Sequence, residues 1–198
     1  MRKSSSIARS NVPGEFASPQ WPKAYLETNA LICAVGLHMK QFIESEGYVA
    51  KVTPLIHNFD PQRLVSDWSH RHAAFVAGLG RFGLNNMLIT ESGCCGRAGR
   101  CCGRAGSFLT SLKLPPDPRP KAEACLYHHN GSCERSVSRF VGGALFIDNF
   151  YRHKCYQVCL KNEKKYVSLG KADVCGKCLV GVPCSFKNPV KEQDANAG

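Results

Sequence analysis

Val174-Cys175-Gly176-Lys177-Cys178-Leu179-Val180-Gly181-Val182-Pro183-Cys184 is the stretch on which the reading of this chain turns. Cys155-x3-Cys159 lies upstream of it. Thiolates that close together, spaced by small residues and a proline, form the ligand set of a soft metal centre. Together the two stretches carry five thiols, Cys155, Cys159, Cys175, Cys178 and Cys184.

The chain has 198 residues, enough for one full domain or a domain with a small appended module. Hydrophobic residues make up 43% and charged residues 21%, the balance of a globular protein with a real core. No apolar run approaches the roughly 20 residues of a membrane span. The basic start, Met1-Arg2-Lys3, is not followed by the apolar segment of a secretory signal. Twelve cysteines fit either a secreted disulfide scaffold or a cytosolic metalloprotein. Their clustering and the lack of a signal favour the second, so a cytoplasmic location without a membrane partner is expected. The net charge of +11 points to an anionic partner such as nucleic acid, while its spread along the chain equally suits a solvated basic surface.

Residues 1–22 are rich in Ser and Pro, lack periodicity and read as a disordered lead. Over 22–46 the pattern turns helical: Leu31, Val35, Met39 and Phe42 step by four, four and three, Ile43 lies beside them, and Gly47 stands where a left-handed cap belongs. His38 sits among these apolar positions and reads as a packed core histidine. Tyr48–Thr53 alternates with β-branched residues and predicts a strand. A loop with His57, Asn58, Phe59 and Asp60 leads into a helical segment over 61–77, broken near Ser69; Asp60 and Asp67 read as turn or cap residues. His70 and His72, two apart, point in different directions on a helix and do not share a metal. Gly78, Gly80 and Gly83 fit G-x-G-x-x-G, but between a helix and a strand at 87–90, the reverse of the order a dinucleotide-binding turn demands. Glycines here end the helix and let backbone approach a flat ligand or another chain closely.

Cys94-Cys95-Gly96-Arg97-Ala98-Gly99 recurs as Cys101-Cys102-Gly103-Arg104-Ala105-Gly106 after Arg100. Adjacent cysteines suit one ion poorly because successive side chains diverge. The repeat reads as a loop duplication, with a new metal or redox site as the alternative. Ser107–Leu112 predicts a strand, and the proline-rich run 114–120 a linker. The expected organisation is a lead at 1–22, an α/β body at 23–114, a cysteine-rich module at 121–190 and a tail at 191–198.

Ser69–Thr90, Gly106–Leu112 and the module ending at Cys184 together resemble the iron–sulfur protein family related to epoxyqueuosine reductase, and more distantly the corrinoid reductive dehalogenases. The resemblance covers roughly residues 24–190. It implies an α+β fold, with a partial nitroreductase-like α/β body followed by a ferredoxin-like module whose [4Fe–4S] clusters feed a cobalamin in the body. It implies that Gly78, Gly80 and Gly83 form a cofactor-facing wall, and that an electron donor protein and tRNA are partners. The family's first cluster motif is degenerate here. Aligned on Gly143-Ala144-Leu145, its ligand positions hold Asn130, Cys133, Ser136 and Phe140, with Cys125 nearby. In two-cluster runs the fourth cysteine of one motif ligates the other cluster. Phe140 therefore also removes a ligand from the second, which keeps Cys155, Cys175 and Cys178 and needs Cys159 or Cys184.

Three functions follow. The first is an iron–sulfur redox protein relaying electrons, an oxidoreductase if it follows epoxyqueuosine reductase. The second is a zinc-stabilised basic module that binds nucleic acid without redox activity. The third is a decayed relative that binds no metal. Lys161, Lys164, Lys165 and Lys171 around Tyr166 either contact phosphate or form a solvated loop.

Overall fold

The computed structural model of the chain describes residues 2–55, 58–95, 104–140, 142–147 and 149–195. His57, Cys101 and Cys102 with the rest of 96–103, and the end of the expected tail lie outside the described residues. In chain order the elements are α1 (Arg2–Ser10), α2 (Gln20–Ser45), β1 (Ala50–Val52), α3 (His70–Val76), β2 (Arg81–Phe82), β3 (Leu88–Ile89), β4 (Phe108–Thr110), α4 (Leu126–Asn130), α5 (Arg135–Arg139), α6 (Arg152–Lys165) and α7 (Pro189–Ala195). Single 3₁₀ turns occur at Val167–Leu169 and Lys177–Leu179. Helices dominate, and the strands form two small antiparallel pairs, β1 with β4 and β2 with β3, so the architecture is α+β. Among the described residues no helix is long and apolar enough to cross a membrane.

The long helix, the strand after it and the strand after the repeat form where their patterns predict them. α2 stops at Gly47, whose φ of +84° reverses the chain so that the Tyr48 N–H donates to Ile43 O at 3.2 Å. The helical pattern before Ala77 is shorter in the structure. Residues 61–64 are turns, and α3 starts only where Ser69 caps it through His72 N–H.

Two expectations about packing are corrected. The apolar stripe of α2 is not a core face: Leu31, Val35 and Phe42 are each more than half exposed, and His38 is exposed beside them rather than packed in a core. β1 and β4 lie against this half of the helix, with Gly36 close enough to Val52 that a β-carbon there would lie 3.0 Å from its methyl. Residues 2–19, within the expected lead, are likewise not disordered. They form α1 and a connecting turn, with Ala8, Asn11 and Ala17 buried.

The physical reason for the second correction lies far along the chain. Asn162 on α6 accepts from Ala17 N–H at 2.7 Å, and the Tyr166 hydroxyl donates to Ala17 O at 2.6 Å. Lys177 is buried and its ammonium donates to Asn11 O (2.9 Å) and Pro13 O (2.6 Å). The main hydrophobic cluster accordingly joins Ala8, Ala17, Trp21 and Ala24 from the N-terminal region to Ile89, Cys94 and Cys95, and to Cys125, Leu179, Val180 and Cys184. One core thus crosses the boundary expected near 114–120.

Candidate metal centre

α6 carries Cys155 and Cys159 one turn apart, which places both thiols on one helix face. The Cys175–Cys178 loop faces them. It turns at Gly176, whose φ is +70°, and its 3₁₀ turn carries Cys178. Gly176 is glycine for two reasons: its backbone is left-handed, and a β-carbon would enter the ring of the fully buried Trp21. Side-chain amides hold the loop from both ends. Asn11 Nδ2 donates to Cys175 O at 3.0 Å, and Asn85 Nδ2 to Cys178 O at 3.1 Å. Ser185 Oγ donates to Leu179 O at 2.8 Å.

Cys155, Cys159, Cys175 and Cys178 all line one cavity of about 500 Å³. Its other walls include Tyr25, Phe59, Trp68, Arg71, Arg104 and Asp173, and also Phe140, which meets Phe150 edge-on at 5.5 Å. The thiols differ electrostatically. Cys159 hydrogen-bonds Cys155, so Cys155 is the one whose pKa is lowered, with help from the Arg71 charge, while Cys159 is held protonated well above the usual thiol range. Burial raises Cys175, opposed by the Lys177 backbone N–H, and raises Cys178 strongly. Among the described residues no three His, Cys, Asp or Glu side chains converge on a single-ion site.

The other proposed ligands are elsewhere. Cys184 is buried against Cys94, with the sulfurs 4.0 Å apart and the Cys94 N–H donating to Cys184 O at 2.8 Å. Cys95 Sγ points to Leu179 O at 3.2 Å. Cys125 is buried in the same core, Cys133 is half-buried, and neither lines the cavity. Of the repeat, Cys94 and Cys95 thus behave as small apolar core residues.

Comparison with family models, curated proteins and solved structures finds no match.

The glycine motif is absorbed by the chain itself. Gly78 (φ +81°) ends α3, and a β-carbon there would lie 3.0 Å from Pro118 O. One on Gly80 would run into the Ile89 carbonyl, and one on Gly83 would lie 2.7 Å from Ile89 Cδ1. None of the three lines the cavity that holds the four thiols. A cavity of about 500 Å³ falls in the range of small-ligand sites.

The histidines and acids act in structure. His70 Nε2 donates to Pro54 O at 2.9 Å while Nδ1 meets Ser107 Oγ at 2.8 Å; His72 turns away to Ser69 Oγ at 2.7 Å. Asp60 Oδ1 accepts from the N–H groups of Gln62 and Arg63, and Asp67 accepts from Asn58. The acid that does face the cavity is Asp173, which accepts from the Tyr25 hydroxyl at 3.2 Å. Asp173, Tyr25, Arg71 and Arg104 carry no sequence signature, because they come together only across long separations.

Proposed function

We propose that this chain is an iron–sulfur redox protein whose Cys155, Cys159, Cys175 and Cys178 hold one [4Fe–4S] cluster, on the plan of the epoxyqueuosine reductase-type proteins. The observation that carries the proposal is the meeting of these four thiols in one cavity. A cubane cluster keeps its four cysteine sulfurs spread around a core larger than one ion, whereas a zinc site draws them to within about 2.3 Å of a single centre. Four thiols lining one cavity support the cluster. Such a cluster, when bound, accepts and passes single electrons. Phe140, at a ligand position of the resemblance, lies in the same cavity wall, and Cys159 supplies the fourth thiol in its stead.

In this proposal residues 23–114 correspond to a partial nitroreductase-like body and 121–190 to a ferredoxin-like module. An electron donor protein supplies the electrons. Lys161, Lys164, Lys165 and Lys171 are exposed on and after α6, as phosphate contacts to tRNA require. A cytoplasmic location, where thiols stay reduced, completes the proposal.

Anaerobic purification with visible and EPR spectroscopy and analysis for iron, zinc and cobalt tests it. The expected result is a brown protein with about four irons per chain. A colourless protein with stoichiometric zinc would establish the zinc-stabilised module instead, and a metal-free one the decayed relative.

A further inference from the structure

Arg71 is a half-buried cation in the cavity wall that an electron relay through four thiols does not by itself explain. Its Nη1 donates to Asn86 O at 2.6 Å and touches Met87 Sδ at 3.6 Å. None of the ion pairs found among the described residues includes it. Burial lowers its pKa, while Cys155 and Cys178 act in the opposite direction. Withdrawing a guanidinium from water without a counter-charge is expensive. The arrangement becomes favourable when the cavity holds an anion beside it.

The other charged groups on the cavity do not fill that role. Arg104 stacks over the Tyr25 ring at 4.3 Å and repels Arg71. Asp173, which accepts from the Tyr25 hydroxyl, forms no ion pair with Arg71 among the described residues, and the Lys177 ammonium is turned away to main-chain carbonyls.

We infer that Arg71 is the internal counter-charge of the metal centre, a positioning residue that raises the reduction potential of a cluster on Cys155, Cys159, Cys175 and Cys178. This rests on the proposed cluster-binding role. Four thiolates around a [4Fe–4S]²⁺ core leave a net charge of about −2, and adding one electron makes it about −3. A fixed cation favours the more negative state, so its loss lowers the potential.

The test is an anaerobic redox titration of the full chain, reconstituted with iron and sulfide and read by the EPR signal of the reduced cluster. In Arg71→Met the ratio of reduced to oxidised cluster at a fixed potential should fall about tenfold, equivalent to 59 mV for one electron. Arg71→Lys, which keeps the charge, should recover most of it. A folded Arg71→Met protein that loses its cluster while Arg71→Lys retains one also supports the assignment. Potentials within 20 mV (roughly twofold) of wild type in both variants overturn it and leave the cluster reading standing. Loss of the cluster from both variants while they remain folded overturns it as well, because lysine preserves the charge. A wild-type chain that takes up no cluster overturns both.

Discussion

Gly176→Ala adds one methyl group between the two cysteines of the tight pair, and the structure divides its effect into two parts. The first is conformational: at φ +70° an L-residue pays about 1–2 kcal/mol for left-handed backbone. The second is steric, because the new β-carbon would enter the indole of Trp21, a fully buried ring with no room to retreat. Overpacking of this kind adds about 1–3 kcal/mol. The sum, about 2–5 kcal/mol, is a large part of the 5–15 kcal/mol that typically holds a domain folded. Gly131→Ala is the internal control. Its φ is +72°, but nothing lies within 4 Å of its β-carbon position, so only the backbone part applies. With an m-value of about 2 kcal/mol/M, urea unfolding should place Gly176→Ala about 1–2.5 M below wild type, and Gly131→Ala within about 1 M. Trp21→Leu combined with Gly176→Ala should show favourable coupling, because the smaller side chain vacates the contested space. Equal midpoints for the two alanine variants, or the absence of coupling, would refute the Trp21 account of the loop.

Further outcomes follow from the same geometry. Cys159→Ser should lose most of the bound iron, whereas Cys184→Ser, whose thiol faces Cys94 outside the cavity, should retain it; iron and sulfide analysis of the reconstituted proteins decides. Lys177→Ala should destabilise the chain by about 3 kcal/mol by leaving the Asn11 and Pro13 carbonyls without their charged donor, and limited proteolysis should then cut first within residues 1–19. The metal-free protein should lose stability as pH rises. Cys94, Cys178 and Cys184 are held protonated in the fold, while the unfolded chain ionises its thiols near pH 8.5. Above that pH the unfolded state binds fewer protons, and stability falls by up to about 1.4 kcal/mol per pH unit for each such thiol. It should be full below about pH 8, with Cys155, lowered rather than raised, working against the trend. Thermal melts between pH 7 and 10 read this slope, and Cys94→Ala should make it shallower.

Local order was legible in the residues themselves. The 3.6-residue period set α2 and Gly47 ended it; alternation set β1 and β4; and a glycine after a helical run stopped α3. Each of these depends on neighbours within a turn or a strand, so short-range sterics and hydrogen bonding suffice. The cysteine spacing likewise marks the segments that carry Cys155, Cys159, Cys175 and Cys178, which line one cavity.

Spacing alone left open which thiols meet, and tertiary structure decided it. Cys184, six residues from Cys178, joins Cys94 from 90 residues earlier, while Cys159 takes the place by the cavity. The loop that presents Cys175 and Cys178 is shaped from a distance: Trp21 lies against Gly176, Asn11 and Asn85 hold its carbonyls, and Lys177 anchors it to the segment after α1. Those contacts turn a polar, aperiodic N-terminus into a packed one. They also gather Arg71, Tyr25 and Asp173 around the thiols. Burial, buried hydrogen bonds and the balance of charge in a low-dielectric cavity act on whatever the fold brings near, and that is the part a linear order of residues does not contain.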